Sequence, residues 1–150
     1  LSVGRKKIEK LNLNNKIEMV LADSEEIPFE DASFDAITVA FGVRNFENLE
    51  KGLSEIYRVL KTGGIFVVLE TSIPTKTPYK QGYKFYSTKI LPSIGRIFSK
   101  DKVAYKYLSD SAAAFPYGKS FNNILRKTGF IAIENKPQTF GVASIYLAKK

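Results

Sequence analysis

The stretch from Glu47 to Leu69 constrains the fold more than any other part of the chain. Leu49, Leu53, Ile56, Tyr57 and Leu60 recur at helical spacing. Glu47 and Glu50 lie in the first turn and Arg58 and Lys61 in the last, so charges complement the helix dipole at both ends. Gly63-Gly64 is expected to end this helix, and Ile65 to Leu69 follows as a continuous apolar run of strand length. An amphipathic helix delivered into a strand that is apolar on both faces indicates an α/β domain with a largely parallel sheet. Two earlier runs agree with this. Ile17 to Ala22 and Phe34 to Phe41 (FDAITVAF) both read as buried strands, and the SEEIPFEDAS between them, polar and broken by Pro28, reads as a loop.

The pattern changes after Pro74 and Pro78. Residues 79–98 and 101–113 read as helices interrupted at Pro92, and 73–113 as a whole reads as a helical lid inserted into the domain. Ser120 to Lys127 reads as a helix capped by Gly129, followed by a terminal antiparallel hairpin of Ile131 to Asn135 and Val142 to Ala148. Ser2 to Leu11 has the pattern of the end of a helix. With 150 residues, 44% of them hydrophobic, the chain suits one domain and one core.

Composition removes several kinds of chemistry. Cys, His and Trp are absent, so thiolate or imidazole metal sites, disulfides, cysteine nucleophiles and histidine bases are not expected. The net charge of +8 is uneven. Residues 1–72 hold 9 basic and 12 acidic side chains, 73–109 hold 8 and 1, and 110–150 hold 6 and 2. The excess therefore concentrates in the lid, where Tyr79, Tyr83, Tyr86, Tyr105 and Tyr107 interleave with lysines. Tyrosine with lysine suits a membrane headgroup layer, so peripheral contact with a bilayer is expected beside the plain role of a helical cover.

Three segments taken together go beyond fold class: ADSEEIPFEDASFD (22–35), FGVRN (41–45) and RVLKTGGIFVVLETS (58–72). As a set they resemble the C-methyltransferases of ubiquinone and menaquinone biosynthesis, and FYSTKILPSIGRIFSKDKVAYKYLSDSAAAFP is similar to that family's insertion before the final hairpin. Thr62 stands where the family usually has proline. The resemblance implies a Rossmann-like class I methyltransferase sheet, incomplete at its N-terminal part, that uses S-adenosyl-L-methionine on a prenylated quinol. The family's glycine-rich cofactor turn has no counterpart here: the chain has 10 glycines and no G-x-G. The sequence is accordingly expected to be a fragment lacking two central strands.

Candidate site residues follow from strand ends. Asp23 and Ser24 come directly after the first apolar run, where an α/β sheet places its ligands; the resemblance implies an adenine contact, whereas a plain turn cap would also explain Asp23. Ala40, Phe41 and Gly42 cross the end of the next strand and are expected to line the cofactor, although the family often has serine at the Ala40 position. Arg44 and Asn45 are the catalytic candidates, as donors that orient a quinol oxygen or stabilise its phenolate; the alternatives are an ion pair for Arg44 and a helix cap for Asn45. Glu70 reads equally as a base and as a structural acceptor.

The expected activity is methyl transfer to a ring carbon of a demethylmenaquinol or the ubiquinone-pathway equivalent, in the cytoplasm or at the inner face of the membrane. The rival is a catalytically silent folded or oligomerising module. A nucleic-acid partner is not expected, because FGVRN stands where amino-methyltransferases need an N/D-P-P-aromatic motif. Exposed sheet edges would favour a homodimer.

Overall fold

The computed structural model of the chain describes residues 2–86, 107 and 110–150. Helix α1 (Ser2–Lys10) opens the chain and buries none of its residues. Strand β1 (Phe34–Ala40) leads through a 3-10 turn (Val43–Asn45) to α2 (Leu49–Val59), which passes without a loop into β2 (Leu60–Thr71). After α3 (Tyr79–Phe85) come α4 (Lys119–Thr128), β3 (Ile131–Gln138) and β4 (Ala143–Lys149). Of the lid helices expected over 79–113, residues 87–106 and 108–109 lie outside the described residues.

The four strands form one sheet in the order β1-β2-β4-β3. Only β1 and β2 run parallel; β4 is antiparallel to both β2 and β3, so among the described residues the sheet is mixed rather than largely parallel. The hairpin that the tail predicts accounts for the difference.

Local chemistry fixes α2 as the sequence predicts. The Asn48 side chain accepts a hydrogen bond from the Lys51 N–H at 3.0 Å and caps the first turn, and Leu53, Ile56 and Val59 are buried on one face. Gly63-Gly64 does not end this helix. Leu60 is already extended, and the register jumps from Phe34↔Leu60 to Ala36↔Ile65, so the glycines sit in a bulge of β2. Gly63 has φ +79°, and a Cβ on Gly64 would stand 2.8 Å from the Lys61 carbonyl oxygen. At α4 the predicted stop is present: Gly129 adopts φ 113°, and the Gly129 and Phe130 N–H groups close back on Arg126 and Leu125.

One face of the sheet packs under α2 and α4. Its core is aromatic: Phe130 lies between Phe66 (5.3 Å, stacked) and Tyr57 (5.1 Å, edge-on), and Phe121 between Phe115 and Tyr146. The opposite face, carrying Ala36, Ala40, Ile65, Val67, Leu69 and Leu147, is only partly covered.

Residues 17–22 do not form the expected strand. They are irregular, Leu21 is 83% exposed, and the outer edge of β1 has no strand beside it among the described residues. A strand-like composition needs a neighbouring edge to satisfy its N–H and C=O groups, and this segment pairs with none.

Candidate functional site

The carboxyl ends of β1 and β2 lie side by side. Phe41 donates its backbone N–H to the Leu69 carbonyl at 2.8 Å and takes up φ +53°, a left-handed conformation that is uncommon outside glycine. The turn that follows buries Val43 as an anchor and brings Arg44 against the end of β2.

There Arg44 Nη1 donates to Glu70 Oε1 at 2.6 Å, and the Arg44 backbone N–H points at Glu70 Oε2 at 3.3 Å. Glu70 is completely buried, on the core face that also carries Phe66 and Val68, and Arg44 keeps only 10% of its side chain exposed. Glu70 Oε1 accepts in addition from the Thr71 N–H and hydroxyl. A carboxylate holding this many donors is a structural acceptor rather than a base, which resolves the two readings of Glu70. Arg44 Nε is buried and has no hydrogen-bond partner among the described residues, and the guanidinium carbon stands 6.0 Å from the centroid of the Phe41 ring.

Asn45 does not cap α2, a role that Asn48 takes. Its side-chain nitrogen reaches the Phe41 carbonyl at 3.5 Å, and its amide oxygen accepts from the Tyr107 hydroxyl at 3.1 Å. Phe41, Gly42, Arg44 and Asn45 are thus brought together in one turn. Ala40 precedes it, exposed and paired with Leu69.

Asp23 and Ser24 reach this end of the sheet by another route. Asp23 Oδ1 accepts the Glu25 N–H at 2.9 Å, the plain turn reading. The loop is bound to both ends of α2. Glu25 Oε1 accepts the Asn48 N–H at the start, and Glu55 Oε2 accepts the Ile27 N–H farther along. Near the end, Arg58 grips the Ile27 and Phe29 carbonyls together with Asp31 and Glu55. Hydrogen bonding to Arg58 holds Glu55 well below the usual carboxylate range, down to about 2, against the opposing effect of burial. Sequence reasoning gave Arg58 only a dipole role; the acidic and carbonyl-rich loop 25–31 was the available signal for a clamp.

The Phe41 ring is 44% exposed at this strand end, while Gly42 is half-buried and a Cβ there would stand 3.0 Å from the Val39 side chain.

The description "ubiE/COQ5 methyltransferase family" matches residues 1–150. The chain is 46% identical to a demethylmenaquinone methyltransferase of Bacteroides fragilis over 100% of its own length and 61% of that protein's. It is 41% identical to the enzyme of that name from Porphyromonas gingivalis, again over 100% and 61%. It therefore spans less than two thirds of these curated relatives. Haemonchus contortus phosphoethanolamine N-methyltransferase 2, solved with S-adenosyl-L-methionine, superposes with a TM-score of 0.66 at 16% identity, over 100% of this chain and 40% of that one. That likeness is one of fold.

Proposed function

The chain belongs to the ubiE/COQ5 methyltransferase family, and from that premise we propose that the whole protein methylates a ring carbon of a demethylmenaquinol-type quinol with S-adenosyl-L-methionine. When bound, the cofactor supplies an electrophilic methyl group. The observation that carries the reading is Arg44, fixed by the buried Glu70 at the strand end with Nε unpaired among the described residues. A guanidinium is a permanent cation, and one that cannot swing into water favours a quinol oxygen in its phenolate form, which makes the ring carbon nucleophilic. Asn45, held by Tyr107 and the Phe41 carbonyl, is the second group for orienting the acceptor. Asp23 accepts the adenine amine, and Ser24, Ala40, Phe41 and Gly42 line the adenosine. The ring proton leaves to solvent once the new carbon–carbon bond has formed.

The test is turnover in a chimera whose remaining length comes from the Bacteroides fragilis relative. Arg44→Lys keeps a cation beside Glu70 but removes the fork. It is expected to lower kcat roughly 10²-fold with cofactor affinity unchanged. Unchanged turnover, or a loss confined to cofactor binding, would remove Arg44 from the acceptor side.

The 150-residue chain by itself should bind S-adenosyl-L-methionine weakly, since the residues in place reach the adenine end only. Isothermal titration calorimetry checks this, and a dissociation constant in the low micromolar range, about −8 kcal/mol, would contradict it.

We place the protein in the cytoplasm, with the lysine- and tyrosine-bearing passage 73–109 meeting the inner membrane surface where prenylated quinols reside. No described helix is long and apolar enough to cross a membrane. The chain is also proposed to dimerise through the open edge of β1, because unpaired strand edges recruit partners. Light scattering should give twice the chain mass of 16.8 kDa, and a monomer at micromolar concentration would refute the dimer.

A further inference from the structure

Two clefts meet behind one pair of stacked rings. Tyr79 and Phe140 lie parallel, with centroids 4.5 Å apart and planes at 11°. Phe140 is 71% exposed, and both it and Thr139 are held at positive φ, +58° and +47°. Two successive left-handed non-glycine residues are costly, and nothing in the core requires this exposed ring to be there. Gly141, packed 3.2 Å from Pro74 at its would-be Cβ, pins the turn against the segment that leads into α3.

On one side of the stack, a cleft of about 400 Å³ runs between α3 and the β3–β4 turn, lined by Pro78, Tyr79, Gly82, Tyr83, Tyr86 and Phe140. Tyr79, Tyr83 and Tyr86 are spaced i, i+4 and i+7, so one helix face supplies the wall. A Cβ on Gly82 would meet nothing within 4 Å. Among the described residues no charged side chain lines this cleft. The same two rings border a second cleft of about 560 Å³, mostly apolar in its walls but carrying Ser72, Lys76, Lys119, Asn135 and Ser144. Ser144 pairs with Glu70 across the sheet and Ser72 follows the end of β2, so the lysine-bearing cleft adjoins the Glu70 strand end and meets the uncharged cleft at the Tyr79–Phe140 stack.

We infer that the uncharged cleft holds the first isoprene units of the acceptor's side chain, with the Tyr79–Phe140 stack dividing head from tail. This rests on the quinol reading above. An amphiphile with a polar ring and an apolar tail matches the order of the surfaces: charged strand end, cleft bearing lysines and serines, aromatic divider, uncharged aromatic cleft. The straining of Phe140 into the open then has a use, since the ring closes the cleft over a flexible chain.

The experiment needs no methyl donor. Farnesol, a prenyl alcohol with no quinol ring, is titrated into the chain with tyrosine fluorescence as the signal, which no tryptophan obscures. Gly82→Leu fills the open space from a helical position, and it is expected to weaken farnesol binding at least tenfold while leaving the urea midpoint at or above that of the parent. Phe140→Ala should weaken it in the same direction. Menadiol, a ring without a tail, should bind parent and Gly82→Leu alike. Equal farnesol binding by parent and Gly82→Leu, or no farnesol binding at all, overturns the inference. Methylation of a tail-less quinol by the chimera alongside that result would show the proposed reaction surviving while the tail site fails.

Discussion

Arg44→Ala is expected to cost this chain about 3–5 kcal/mol of folding stability, because it leaves the Glu70 carboxylate buried with its cation gone. Glu70 has 0% exposure and would keep only the Arg44 and Thr71 backbone N–H groups and the Thr71 hydroxyl. Those bonds do not replace a charge at 2.6 Å. Removing both charges together, as in Arg44→Met with Glu70→Leu, should restore most of the loss, since a well-packed apolar pair of similar volume carries no desolvation cost. Urea unfolding of the parent, the single and the double variant decides the matter. A double variant as unstable as the single one would mean that packing of the Arg44 stem, rather than the ion pair, holds the turn. The same pair thus serves two purposes, and Arg44→Lys is the better variant for reading turnover because it keeps the charge.

Phe121→Ala is the second large effect, expected at about 3–5 kcal/mol. Its ring is fully buried, 5.0 Å from Phe115 and 4.8 Å edge-on to Tyr146. Tyr146 in turn accepts the Gly118 N–H at 2.7 Å, and burial pushes its phenol upward while that bond pulls it back. Losing Phe121 opens a void beside a buried hydroxyl, so the start of α4 and the lysine-bearing cleft should loosen with it. Ile131→Ala is the control: at 62% exposure it should change stability by no more than about 0.5 kcal/mol. Urea midpoints again report, and a small loss for Phe121→Ala would show that the surrounding rings collapse into the space.

Much of this fold was legible because its signals are local. The spacing from Leu49 to Leu60, the run from Phe34 to Ala40 and Gly129 after a ten-residue helix each state their structure within a dozen positions. The failures have a common cause. Ile17 to Ala22 has the composition of a strand, yet pairing is a property of the neighbour, and none of the described strands offers it an edge. Gly63-Gly64 resembled a helix stop, but the chain leaves the helix at Leu60, and the glycines are needed because a bulge puts backbone where a Cβ would stand. At the end of β1, the position of Arg44 and Asn45 just past the strand was legible in the sequence. Their partners were not, since Glu70 is 26 residues from Arg44 and Tyr107 is 62 from Asn45. One clue was available. A glutamate in phase with Phe66 and Val68 on an alternating strand must face the core, and a buried carboxylate calls for a cation.

The Arg58 clamp bears on the heat and entropy of binding. Because one guanidinium and two glutamates tie loop 25–31 to both ends of α2, the loop carrying Asp23 and the helix that begins just after the Arg44 turn form a single body. On the proposed adenine contact, a ligand arriving at Asp23 would find the adjoining segment already ordered, so little of the contact energy would go into freezing the chain. Loosening the clamp at Arg58 would shift that ordering into the binding step: contacts would stay the same, while the entropy of association would turn more unfavourable and the bound loop would be slower to assemble.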